Sequence, residues 1–151
     1  MFKFSIKKIL LEEVGKKISY SVEGSIVDLA LPEDIRGDRI KGNVVFIKLE
    51  DTILAKATLE AEVILICDRC LSNFEKTLEI EMEREYNINR QGKNEEGLYI
   101  DKYADLELDE PIREEIILAV PMKNICRGDC LGICPDCGVN LNIEECKCCN
   151  K

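Results

Sequence analysis

The sequence contains no histidine among its 151 residues. Histidine is a ligand in the usual catalytic zinc sites, and it is the side chain most often used as a general base near neutral pH. A hydrolytic centre would therefore depend on carboxylates, which form no convergent motif in this chain. The absence predicts that the protein is not an enzyme. It also predicts that any zinc site is built mostly or wholly from cysteine.

Long apolar runs are missing as well. No stretch approaches the roughly 20 apolar residues that span a bilayer, and lysines at positions 3, 7 and 8 interrupt the apolar residues that a signal peptide would need. We therefore expect a cytoplasmic protein with no membrane partner. In that reducing compartment structural disulfides are rare, and nine cysteines would leave one unpaired. The cysteines favour metal ligation.

Basic residues are in the minority, with 21 lysines and arginines against 30 acidic residues and a net charge of −9. Because neutralisation of phosphates by basic side chains dominates nucleic-acid affinity, this balance argues against a broad RNA-coating surface. The acidity is central: residues 21–121 hold 12 basic and 24 acidic groups, whereas residues 1–20 hold five lysines and two glutamates. An RNA would approach the ends of the chain.

Two long strands form the clearest pattern. From Ile53 to Leu65 every odd position is apolar, which predicts a half-buried β-strand. After Cys67-Asp-Arg-Cys70 the alternation resumes over residues 74–86, with glutamates on the opposite face. The short connection predicts an antiparallel hairpin with its Cys-x-x-Cys at or beside the turn.

Weaker patterns extend this sheet. Strands are predicted over residues 17–27 and 43–49, on either side of a turn-rich stretch at 32–38. Residues 87–97 are polar and contain glycine, which predicts a mobile loop, and a short strand follows at 98–100.

One helix is predicted. Asp109-Glu110-Pro111 is typical of a first helical turn, and Pro121 ends the segment. The apolar residues between them recur at helical spacing and should lie on the open face of the sheet: Ile112, Ile116, Ile117 and Val120. The sequence thus predicts an α+β fold, mainly an antiparallel sheet with one packed helix over residues 1–121. A C-terminal Cys-rich zinc-knuckle module, residues 122–151, would pack on it.

Cys134-Pro-Asp-Cys137-Gly138 has the form of a zinc knuckle, because two intervening residues let both sulfurs reach one ion and the glycine permits the turn that follows. Cys146 and Cys148 return eight residues later as the second pair of ligands. These four cysteines are the first predicted zinc site. Cys149 is a surplus thiol that could exchange roles with Cys148.

The remaining cysteines, Cys67, Cys70, Cys126 and Cys130, would form a second site that ties the tail to the hairpin turn. Two other arrangements are open: a local site made of Cys126, Cys130, Cys134 and Cys137, or a metal-free Cys67 and Cys70. An iron–sulfur cluster also takes four cysteines, but the knuckle favours zinc. A Cys-x-x-Cys redox role is a further alternative, since Arg69 could lower a thiol pKa, although such motifs begin a helix.

Three segments in order carry a family resemblance: Cys67-Asp-Arg-Cys70-Leu71 with Phe74, then residues 106–121, then residues 126–148. Together they resemble the YceD family, the large ribosomal RNA subunit accumulation proteins. The resemblance implies a non-catalytic factor in ribosome biogenesis that is needed for accumulation of large-subunit ribosomal RNA.

The resemblance and the distribution of charge together indicate two alternative kinds of partner. Ribosomal RNA would be contacted locally, through Arg69, Lys123, Arg127 and the N-terminal lysines. Alternatively, the protein is an adaptor or holdase for a basic ribosomal protein or assembly protein, with the glutamate face of residues 75–85 as its docking surface.

Overall fold

Seven strands and two helices make up the described part of the chain, which comprises residues 2–88, 98–99 and 105–148 of the computed structural model. Five strands form one sheet in the order β2-β3-β4-β5-β6, and β1 pairs with β7 in a separate two-stranded sheet. The elements are β1 (Lys3–Ser5), α1 (Lys7–Leu10), β2 (Lys17–Ser25), β3 (Ile35–Lys48), β4 (Thr52–Ile66), β5 (Asn73–Asn87), β6 (Leu98–Tyr99), β7 (Asp105–Glu107) and α2 (Asp109–Ala119).

The predicted hairpin is confirmed as β4 and β5, which pair antiparallel from Thr52 and Asn87 at one end to Ile66 and Asn73 at the other. Every odd residue from Ile53 to Leu65 is buried. Each strand has 15 residues, or about 50 Å at the usual rise of a strand. The hairpin therefore carries its turn, with both cysteines of the first Cys-x-x-Cys, far from the middle of the core.

The start predicted for the strand at residues 43–49 was wrong. Strand β3 begins at Ile35, eight residues earlier than the pattern indicates, and so takes in much of the predicted turn. Ile35 and Ile40 are buried in the core, while a bulge between Gly37 and Arg39 absorbs the irregular stretch. A Cβ at Gly37 would lie 2.5 Å from the Ile26 side chain, so this glycine permits close packing inside a strand.

The short strand predicted after the loop is confirmed in part, because β6 covers Leu98–Tyr99 and pairs parallel with β5. The predicted mobile loop lies, from residue 89 onward, outside the described residues, as does Cys149.

Helix α1 and the β1–β7 sheet were not predicted. Strand β1 meets β7 across about a hundred residues of sequence, with Lys3 paired to Glu107 at 3.2 Å. The ring of Phe4 packs 5.4 Å from Tyr20 and 5.5 Å from Phe46, measured between centroids. A strand of three residues is too short for its alternation to be recognised, so only the tertiary contacts reveal it.

Helix α2 matches the prediction and confirms the α+β fold. Ile112 and Ile116 are fully buried in the core, and the helix packs along β5. The Asp109 carboxylate accepts a 2.5 Å hydrogen bond from the Phe2 amide, which fixes the helix start. In the described part of the chain, no helix has the length and apolar character to cross a bilayer.

We expect Ile116→Ala to lower the free energy of unfolding by about 2–5 kcal/mol, because it removes a fully buried side chain between helix and sheet. The matched control is Leu118→Ala on the same helix, where the side chain is 74% exposed and the change should stay within about 0.5 kcal/mol. Urea unfolding followed by circular dichroism measures both. Equal losses in the two variants would contradict the proposed packing of the helix.

Candidate metal centres

The hairpin cluster consists of Cys67 and Cys70 from the β4–β5 turn with Cys126 and Cys130 from the segment after α2. All four sulfurs lie within 4.8 Å of one another. The Sγ atoms of Cys67 and Cys130 are 3.9 Å apart, and those of Cys70 and Cys126 are 3.7 Å apart. The fold thus brings together four thiols from two segments that are more than fifty residues apart in the sequence.

The tail cluster consists of Cys134, Cys137, Cys146 and Cys148, whose sulfurs also lie within 4.8 Å of one another. The Sγ atom of Cys146 is 3.2 Å from that of Cys134 and 3.5 Å from that of Cys137. Unlike the hairpin cluster, this group comes from one short stretch of chain. The two groups contain the same cysteines as the two predicted sites.

The first cysteine pair of each cluster is held by the same backbone turn. In the tail cluster the amide of Gly138 donates to the Cys134 carbonyl, and the Cys134 amide donates to the Val139 carbonyl. In the hairpin cluster the amide of Leu71 donates to Cys67, and the Cys67 amide donates to Ser72. Both turns therefore present their two sulfurs from one knuckle geometry.

The residue after each knuckle has a positive φ angle, +73° at Gly138 and +58° at Leu71. Glycine adopts this conformation without steric cost, whereas a leucine Cβ crowds the backbone. Leu71 is also 62% exposed. The knuckle at the hairpin turn thus carries local strain that the knuckle in the tail does not.

Sulfur spacing in both clusters fits a tetrahedral ion. Zinc–sulfur bonds of about 2.3 Å place the corners of a tetrahedron about 3.8 Å apart. The sulfur–sulfur distances of 3.2–3.9 Å are near this value and well above the about 2.05 Å of a disulfide. Each cluster could hold a metal ion, and four thiolates would fill its coordination shell.

Hydrogen bonds to sulfur favour the ionised thiols that bind metal. Burial raises the pKa of the Cys67 thiol, but hydrogen bonds from the backbone amides of Cys70, Cys126 and Arg69 outweigh it and lower the pKa to about 6. Burial and the neighbouring thiols raise the pKa of Cys126 to about 12. Four crowded thiols cannot all ionise without a cation, so the metal-free cluster keeps protons that a metal would displace.

Backbone contacts hold the tail against the hairpin turn. The Asp68 amide donates to the Asn124 carbonyl at 2.7 Å, and the Asn124 amide donates to the Asp68 carboxylate at 2.7 Å. The Ile133 amide donates to the Arg69 carbonyl at 3.1 Å. Gly132, with φ of +78°, lies so close to this carbonyl that a Cβ would be 3.1 Å from the oxygen.

The three basic residues predicted to contact a partner lie in this region, but two are engaged within the chain. Arg69 donates to the Cys130 carbonyl at 3.2 Å. Arg127 donates to Asn142 Oδ1 at 2.9 Å and pairs with Asp129 at 3.3 Å. Lys123 is exposed at the start of the tail. Partner contacts through these residues stay a prediction.

The structure bears on two alternatives that the sequence leaves open, a local site within the tail and a redox role for Cys67 and Cys70. Cys126 and Cys130 group with the hairpin turn, and in the described residues they share no four-sulfur group with Cys134 and Cys137. Cys67 and Cys70 lie in a β-turn, whereas redox Cys-x-x-Cys pairs begin a helix.

Sequence reasoning missed the polar residues that support the clusters. The Asp68 carboxylate accepts a hydrogen bond from the tail backbone, and Asn140 donates to the Ser72 hydroxyl at 3.0 Å. The Asn142 side chain accepts hydrogen bonds from Arg127 and Leu131. A local signal existed only in the repeated Asn-x-Asn of residues 140–142, which is typical of turns.

Replacing Leu71 by glycine should raise the free energy of unfolding by about 0.5–1 kcal/mol, because glycine adopts the positive φ without strain. Leu71→Ala is the control, since it shortens the exposed side chain but keeps the Cβ. Urea titration separates the two. A Gly variant no more stable than the Ala variant would show that the turn carries no backbone strain.

Comparison with known proteins identifies the family of this chain. The model of a family described as large ribosomal RNA subunit accumulation protein YceD matches residues 55–151. An uncharacterized protein of Mycobacterium tuberculosis is 26% identical over 137 residues, which cover 87% of this chain and 59% of that protein. An uncharacterized protein of Mycobacterium leprae is 26% identical over 102 residues, covering 64% of this chain and 46% of that protein.

The chain spans about three fifths of the length of the curated relatives it matches over 137 residues. No solved structure matches the chain. The family match covers more than half of the chain, including all but the first three residues of the β4–β5 hairpin and all nine cysteines. This chain therefore belongs to the YceD family of large ribosomal RNA subunit accumulation proteins.

Proposed function

We propose that this protein is a non-catalytic cytoplasmic factor that supports accumulation of large-subunit ribosomal RNA, with one structural zinc ion in each cysteine cluster. The observation that carries the proposal is the pair of four-sulfur groups in a chain of this family. Zinc with four thiolates has no open position for substrate, so its contribution is to hold the chain in place. The tail would then present a fixed surface to a ribosomal partner.

Zinc is needed because the tail has little apolar surface to bury. Met122, Leu131 and Ile143 are all exposed, and residues 122–148 contain neither a helix nor a strand. Structural zinc in small modules supplies roughly 10–16 kcal/mol of apparent binding free energy, which offsets the entropy of ordering such a segment. The knuckle turns favour zinc over an iron–sulfur cluster.

The purified protein should contain two zinc ions per chain, measured by elemental analysis. Removing them with a chelator should expose the amides of residues 122–148 to hydrogen exchange while the β4–β5 hairpin stays protected, because the sheet has its own core. Unchanged protection across the tail after complete metal removal would contradict the structural role of zinc.

Two variants assign the ions. Cys126→Ser should remove the ion of the hairpin cluster, and Cys137→Ser should remove the ion of the tail cluster, so each variant should retain about one zinc ion. The control is Ser21→Ala at an exposed position of β2, which should retain both ions.

Direct contact with ribosomal RNA is the first mode of action that we propose. Lys123 is exposed close to the hairpin cluster in sequence, and residues 1–20 carry five lysines against two glutamates. Arg69 and Arg127 would contact RNA through guanidinium N–H groups other than those that bond the tail. A contact this local would recognise a defined RNA element instead of coating it.

The second mode is an adaptor for a basic ribosomal or assembly protein, and the outer face of the sheet supports it. Glu79 lies directly opposite Glu60 in the β4–β5 register, a like-charge pair that costs stability. Lys41 pairs with Glu60 at 3.0 Å and Lys56 with Glu83 at 2.6 Å. The remaining glutamates of the face give it a negative potential that a basic partner would relieve.

Affinity capture from cells, with and without ribonuclease, separates the two modes. If RNA is contacted directly, its recovery should fall steeply with salt, because phosphate contacts release counterions, and it should also fall in the double variant K123A/R127A, because lost phosphate contacts lower the affinity. If a basic protein is the partner, its recovery should survive ribonuclease and fail in the triple variant E79K/E81K/E83K.

The triple variant D28K/E33K/E50K, at exposed positions away from that face, makes the same change of six charge units and serves as the control. Recovery of neither RNA nor a ribosomal protein under any condition would contradict the proposed function.

A further inference from the structure

Asn142 connects the two cysteine clusters. It lies in the tail between Cys137 and Cys146, within the segment that carries the tail cluster. Its side-chain Nδ2, however, donates a hydrogen bond to the Sγ atom of Cys130 at 3.4 Å. Cys130 belongs to the hairpin cluster. A residue in the segment that carries one cluster therefore contacts a cysteine sulfur of the other.

The orientation of this amide is fixed by its other partners. Its Oδ1 accepts hydrogen bonds from the Leu131 amide and from the Arg127 guanidinium, both at 2.9 Å. Neither of these groups can accept a hydrogen bond, so a flipped amide would place its NH₂ against two donors. The NH₂ group therefore faces Cys130, and its second hydrogen bond goes to Asn140 Oδ1 at 2.9 Å.

Asn140 extends the network to the hairpin turn. Its Oδ1 also accepts the Asn142 amide at 2.9 Å, while its Nδ2 donates to the Ser72 hydroxyl at 3.0 Å. Ile133 and Asn140 form an antiparallel bridge across the tail. These contacts place Asn142 in one position relative to Cys130, and both residues are shielded from solvent at least in part.

We infer that Asn142 is a positioning residue that stabilises the Cys130 thiolate in the metal-loaded hairpin cluster and thereby couples metal binding at the two clusters. The inference rests on the proposed zinc sites. A hydrogen bond to an ionised acceptor is stronger than one between neutral groups, and groups that bond a metal ligand affect metal affinity. Metal in the tail cluster orders the loop that carries Asn142, and so places the donor on Cys130.

The decisive variant is Asn142→Asp. The aspartate keeps the oxygen that accepts from Leu131 and Arg127, but it replaces the NH₂ group that donates to Cys130 and Asn140 with a second carboxylate oxygen. The affinity of the hairpin cluster for metal should fall by about 10–100-fold, while the affinity of the tail cluster, measured with the hairpin cluster empty, changes little. Titration of the full chain with Cd²⁺, followed by ¹¹³Cd NMR with one resonance per cluster, reads each site separately.

The matched control is Asn73→Asp, which introduces the same charge three residues after Cys70 on an exposed side chain. If Asn142→Asp weakens the hairpin cluster no more than this control does, the effect is general electrostatics and the inference is wrong. If wild-type protein binds no metal, the proposed zinc sites fail instead. Two bound ions with unaltered affinities in Asn142→Asp would overturn the inference about Asn142 and leave the proposed zinc sites standing.

Coupling has its own signature in a double-mutant cycle. Cys137→Ser, which disables the tail cluster, should weaken Cd²⁺ binding at the hairpin cluster in the wild-type background. In the Asn142→Asp background the same change should weaken it less, because the donor is already lost. Additive effects of the two substitutions would contradict transmission through Asn142.

Discussion

The organisation of this protein depends on one constraint: four cysteine sulfurs must meet at the end of a long hairpin. Cys67 and Cys70 are placed there by the pairing of β4 and β5, which runs without a break to Ile66 and Asn73. Cys126 and Cys130 reach the same point only after the chain has built α2 and returned. The sheet thus supplies half of a four-sulfur cluster, and the tail supplies the other half.

Two sources of stability are divided along the chain. Residues up to α2 bury a continuous apolar core, in which β4 and β5 contribute one face and the helix contributes Ile112 and Ile116. Beyond the helix, short backbone contacts and sulfur clusters replace apolar packing. This division explains why the tail has exposed leucine and isoleucine side chains but closely spaced thiols.

The charged side chains of the sheet and those near the tail also differ. The outer face of the sheet carries the glutamates of β5, only partly balanced by lysines on the neighbouring strands. At the turn, by contrast, arginine side chains bond carbonyl and amide oxygens of the tail. Arginines that the sequence offers as contacts for a partner therefore also hold the tail in place, because a guanidinium has five donors and can serve both purposes.

The sequence by itself determined the β4–β5 hairpin, helix α2 and the position of the first Cys-x-x-Cys, because period-two and helical patterns are local and extend over many residues. The knuckle spacing likewise indicated which cysteines pair within the tail. The sequence did not reveal strands β1 and β7 or the early start of β3. Three-residue strands are too short to show alternation, and the bulge after Gly37 interrupts the alternation in β3. Only the tertiary structure decided that Asn142 reaches Cys130, because this contact depends on how a tail without regular secondary structure folds back on itself. It also decided that Leu71 takes a glycine-like conformation, because residue type does not reveal this backbone angle.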